Sequence, residues 1–75
     1  WVYYKKGDYA KALEILKKAV ELVPDDPIIL EHLGDAYLKS GDKKNARQAY
    51  ERSLEKNHKD RPAIEEKIKQ LLEQP

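Results

Sequence analysis

The chain repeats itself. Shifted by 34 residues, Trp1–Asp26 falls on Asp35–Asp60 without a gap. Seven positions are identical: Tyr3/Tyr37, Lys5/Lys39, Gly7/Gly41, Asp8/Asp42, Ala12/Ala46, Glu21/Glu55 and Asp26/Asp60. Ala19/Ser53 and Val20/Leu54 are near matches. A fixed period of this length marks a stacked architecture, in which one supersecondary unit cannot bury its own apolar face and leans on the next. With 75 residues, the chain holds little more than two periods. A chain this short is a single domain and buries only about 60% of its unfolded surface. Little room is left for a deep, dry catalytic pocket.

The period coincides with helix punctuation. Asp8, Asp26, Asp42 and Asp60 each precede an apolar-periodic run and can accept from first-turn N–H groups. Pro27 and Pro62 fit the first helical turn, where no amide hydrogen is needed. Gly7 and Gly41 stand where a preceding helix must stop. The pattern predicts helices over 1–6, 9–22, 27–39, 43–57 and 61–73, joined by short turns into antiparallel hairpins. Leu13, Leu16, Val20 and Val23 recur at helical spacing, as do Leu30, Leu33, Tyr37 and Leu38, and Ala46, Ala49, Tyr50 and Leu54. No segment alternates with period two, so the chain is expected to be all-α. Gly34, in mid-helix, costs about 1 kcal/mol relative to Ala, and close helix packing is the reason to expect it there.

Composition excludes several functions. Fifteen Lys and Arg against 14 Asp and Glu give a net charge of +1, too little to favour nucleic acid as a partner. Zero Cys removes disulfides, cysteine metal sites and thiol nucleophiles. No apolar run approaches the roughly 18 residues of a membrane helix, so no membrane insertion is expected. Trp1–Lys6 lacks the apolar core of a signal peptide. There is no initiating Met, and the chain is expected to be a piece of something longer.

The residues that could carry chemistry are sparse. His32 and Asp35 lie at i, i+3 beside Glu31, but no third ligand is in sequence range, and a solvated helix face explains them. Glu65–Glu66 and Asp25–Asp26 are sequence neighbours and do not face each other on a helix. The serines are Ser40 and Ser53, and the three glycines make no phosphate-binding loop. No catalytic residue, cofactor or metal is therefore expected, and the chain is expected not to be an enzyme. Glu14–Lys18, Arg47–Glu51 and Glu65–Lys69 have the i, i+4 spacing of helix-supporting pairs.

The combination resembles the tetratricopeptide repeat (TPR), whose helix–turn–helix signature has a period of 34. With Pro27 as the first position, the signature falls on Leu30, Leu33, Gly34, Tyr37, Ala46, Tyr50, Ser53 and His58. Leu30, Ser53 and His58 depart from the usual Trp, Ala and Pro. The upstream copy supplies Tyr3, Ala12, Leu16, Ala19 and Pro24 at matching places. The resemblance implies one single domain over 1–75: a truncated repeat over 1–26, a complete repeat over 27–60 and a capping helix over 61–75. It also implies a right-handed superhelix. Within the last segment, Ile64, Ile68 and Leu71 are expected to cover the preceding hairpin, with Glu65, Glu66, Lys67 and Lys69 turned to water.

Similar proteins hold a peptide or helix of a protein partner in a concave groove lined by the first helix of each repeat. By position, the groove residues here are Ile28, Glu31, His32, Asp35, Leu38 and Lys39, with Trp1, Tyr4 and Lys5 upstream and Glu65, Lys69 and Leu72 downstream. One TPR subfamily clamps a C-terminal carboxylate with basic residues. The matching positions here hold Glu31, His32, Asp35, Pro62 and Glu66, which would repel it. An apolar groove with carboxylates at Glu31 and Asp35 would instead suit apolar anchors and a basic residue. The alternative is a homo-oligomer through the N-terminal edge. There Trp1–Tyr4 are aromatic and apolar, and a broken first helix is expected to uncover part of Leu13, Leu16 and Val20.

Overall fold

The structure is a computed structural model that describes residues 9–56 and 59–73. The expected helix over 1–6, Gly7, Asp8 and His58 lie outside the described residues. Within them the chain folds into four helices with no strand: α1 (Tyr9–Leu22), α2 (Pro27–Lys39), α3 (Lys43–Glu55) and α4 (Arg61–Glu73).

Three of the four expected caps are seen. Asp26 Oδ1 accepts from the Ile28 and Ile29 amides at 2.9 and 3.3 Å, and Pro27 opens α2. Asp42 Oδ1 accepts from the Asn45 amide at 3.2 Å, and its Oδ2 takes the Asn45 side-chain amide at 2.7 Å. Asp60 Oδ1 accepts from the Ala63 amide at 3.4 Å. Gly41 has φ +89°, a conformation that L side chains rarely adopt, and it turns the chain between α2 and α3. α3 stops at Glu55, two residues earlier than the pattern predicts, where the Lys56 amide closes the last turn on the Arg52 carbonyl.

The helices pack through two apolar clusters. Leu16 of α1, Leu33 and Ala36 of α2 and Ala49 of α3 form the first, with Leu13, Val20 and Tyr37 against it. Ala46 and Tyr50 of α3 and Ile64 and Leu71 of α4 form the second, flanked by Tyr37, Leu38, Leu54 and Ile68. Tyr37 touches both and ties one period to the next. Of the three residues expected to be partly uncovered, Leu13 and Val20 are only partly buried, whereas Leu16 is fully buried because it packs in a cluster with α2 and α3. The large apolar side chains that α1 leaves exposed are Ile15 and Leu22.

Two details join α2 to α3. A Cβ on Gly34 would lie 2.5 Å from Tyr50 Cε1 and 2.6 Å from Cδ1, so the ring rests directly on the α2 backbone. Ser53, fully buried, donates its hydroxyl to the Pro27 carbonyl at 2.7 Å, giving the buried oxygen a partner.

Candidate partner-binding groove

Ile28, Glu31, His32, Asp35, Leu38 and Lys39 recur at helical spacing and share one face of α2. Glu31 and Asp35 stand at i, i+4, where like charges repel. The structure resolves that repulsion through α4. Lys67 Nζ lies 2.8 Å from Glu31 Oε2, and 3.0 and 3.3 Å from the two carboxylate oxygens of Asp35. The same ammonium sits 5.7 Å from the centroid of the Tyr50 ring, within cation–π range. The Tyr50 hydroxyl donates to Asp35 Oδ1. Three helices thus meet in one polar cluster: two carboxylates from α2, a phenol from α3 and an ammonium from α4.

Lys67 was expected in water. Instead its side chain is about two-thirds buried, because α4 turns that position toward α2. Burial by itself pulls its pKa down. The hydrogen bonds to Glu31 and Asp35 and the charges of the same carboxylates outweigh burial and hold the amine above its ordinary value. It therefore stays charged at neutral pH.

A shallow recess adjoins the cluster. Asp35, Leu38 and Lys39 of α2, Tyr50 of α3, and Lys67, Gln70 and Leu71 of α4 line it. Of the α2 positions expected to face a partner, Asp35, Leu38 and Lys39 reach the recess, and Glu31 joins it through Lys67. Ile28 and His32 lie half-buried on the same α2 face but outside its lining. On α4, Glu65 and Lys69 are exposed and do not line it. Leu72 is exposed and lines a different recess, against α3. Trp1, Tyr4 and Lys5 lie outside the described residues.

Sequence reasoning missed Tyr50, Lys67, Gln70 and Leu71 as lining residues. The signal was present. Lys67 and Gln70 stand 34 positions after Leu33 and Ala36, both core residues, and a polar residue on an apolar stripe calls for a partner.

A family model described as a TPR repeat matches residues 2–41, and another described as a tetratricopeptide repeat matches residues 27–60. The chain belongs to the tetratricopeptide repeat family. The second match begins at the proline that opens α2 and ends at the aspartate before α4. No curated protein and no solved structure matches the chain. TPR repeats are generally protein–protein interaction modules, and members of the family are typically scaffolds rather than enzymes. Among the described residues, no helix of this TPR chain is long and apolar enough to cross a membrane.

Proposed function

We propose that this TPR chain is a scaffold element that holds a peptide or helix segment of a protein partner in the groove between α2 and α4. The observation that carries the reading is the Lys67–Glu31–Asp35–Tyr50 cluster beside Leu38 and Leu71. Its polar groups are held by one another before any partner arrives, and apolar side chains stand next to them. Fixed polar groups beside apolar walls suit a site that seats an apolar side chain and orients the polar backbone around it. Ile28, His32, Glu65 and Lys69 would extend the contact along the two helices.

The charge balance sharpens the partner's chemistry. Lys67 and Lys39 offset Asp35 and Glu31, so the recess is not the acidic wall that α2 alone suggests. Binding here rests on apolar burial and depends weakly on salt. A basic side chain on the partner has to compete with Lys67.

The test is a screen of 15-residue peptides, with binders mapped by amide chemical shifts on the isotope-labelled chain. Peptides with Leu, Ile or Phe anchors should move the amides around Leu38 and Gln70. Gln70→Trp, which fills the recess from an exposed position, should abolish their binding and leave the helical spectrum intact. Binders indifferent to Gln70→Trp would refute the groove as the site.

One observation favours a second reading, self-association. Ile15 is 54% exposed and Leu22 83%, and they lie seven residues apart on one face of α1, with Val23 beside them at 48%. A second copy could cover that face. Light scattering from micromolar to near-millimolar concentration decides it: a growing mass supports the reading, and a constant monomer mass ends it.

A further inference from the structure

The polar cluster stands where the repeat is apolar one period earlier. Shifted back by 34 residues, Tyr50 and Lys67 become Leu16 and Leu33. Those two leucines lie in one buried cluster. One period on, the same two places hold a phenol ring and an ammonium 5.7 Å from its centroid. A leucine packs at this point of the repeat, so packing does not call for a charge there. Burial also disfavours the charged form of the Lys67 amine. The charge is kept nonetheless, because Glu31 Oε2 at 2.8 Å and both Asp35 oxygens at 3.0 and 3.3 Å hold it.

What the ammonium faces accounts for it. Glu31 and Asp35 stand one helical turn apart on the α2 face of the groove, beside the apolar walls of Leu38 and Leu71. Such a pair of carboxylates would recruit a basic side chain. Lys67 supplies that cation from α4, across the groove. Its side chain remains one-third exposed and lines the recess. A partner's lysine or arginine would have to displace it. The resident cation is tethered to the chain and loses no translational freedom on pairing, so the incoming one competes at a disadvantage.

Given that the α2–α4 groove is the partner site, we propose that Lys67 sets its specificity. Lys67 fills from within the chain the cation place beside Glu31 and Asp35. The groove then takes segments with an apolar anchor and gives no advantage to a basic neighbour of that anchor.

The probes are two alanine-based peptides with leucine anchors, one carrying lysine beside each anchor and the other glutamine. Both should shift the amides around Leu38 and Gln70 of the labelled chain, with affinities within about twofold of each other. Lys67→Leu restores the residue that Leu33 holds one period earlier, so the repeat accommodates it. In that variant the lysine peptide should bind at least about threefold tighter than the glutamine peptide. The preference should shrink as salt rises, and again when Glu31→Gln is added. Lys67→Gln, which keeps a polar side chain, should move the preference in the same direction. Circular dichroism confirms that each variant is folded. Lys67 is not the determinant if the parent already prefers the lysine peptide, or if both peptides bind the folded variants alike. If neither peptide shifts the Leu38 and Gln70 amides in parent or variants, the groove itself is not the site, and the proposal falls with it.

Discussion

Gly34→Ala sets two calculable effects against each other. In an exposed helix interior the exchange would stabilise by about 1 kcal/mol through helix propensity. Here the added methyl carbon would stand 2.5 Å from Tyr50 Cε1 and 2.6 Å from Cδ1. Carbon atoms settle at about 3.5–4.0 Å, so the ring must retreat by about 1 Å. Its retreat is opposed by the groups that hold it. Tyr50 is fully buried, its hydroxyl is bound to Asp35, and Lys67 stands over its ring. Overpacking of this kind typically costs about 1–3 kcal/mol, and displacing the phenol from Asp35 adds about 1 kcal/mol. Set against the propensity gain, the net loss is about 1–3 kcal/mol. In a domain of this size that lowers Tm by roughly 5–20 °C. Urea and thermal unfolding followed by circular dichroism measure it. The clash is pairwise, so Gly34→Ala should cost much less in a Tyr50→Leu background. A double-mutant cycle should return a coupling of at least about 1 kcal/mol. If Gly34→Ala is as stable as the parent, the Tyr50 ring does not rest on α2 and the reasoning collapses.

Two further predictions concern charge. Lys67→Met keeps the apolar stem and removes the ammonium, leaving Glu31 and Asp35 to repel; it should cost about 1–2 kcal/mol in urea unfolding. Because the folded pKa of Lys67 is raised, its contribution is complete below the unfolded value of about 10.4 and is lost as pH rises through the folded value. The gap between parent and variant should therefore stay constant at neutral pH and close in alkali; a gap that persists unchanged in strong alkali would contradict the assignment. Asp42→Ala removes the α3 cap and should lower Tm. The hydrogen bonds from the Asn45 side chain and amide hold the Asp42 carboxyl below its ordinary value, so its contribution is present above about pH 4 and disappears as the carboxyl is protonated. Parent and variant should converge in acid, and a Tm difference that persists at pH 2 would contradict the cap.

Local and periodic features were legible in the residues alone. A cap, a first-turn proline or a helix-ending glycine acts within one turn of its own position. Asp26, Asp42, Pro27 and Gly41 therefore announced α2 and α3 without knowledge of any neighbour. The 34-residue period carried the stacking, since identical spacing places identical faces together, and Gly34 was readable as a close-packing site. How the groove is charged depends instead on the packing of separate helices. Glu31 and Asp35 are visible on α2, but the ammonium that engages them arrives from Lys67, 36 residues after Glu31 and on another helix. Which way that side chain turns follows from the angle at which α4 lies across α2 and α3. For the same reason Leu72, placed by the period on the groove side, lies against the basic face of α3. A helical wheel fixes the angle between two residues of one helix, whereas the direction of a neighbouring helix is set by packing that no single segment contains.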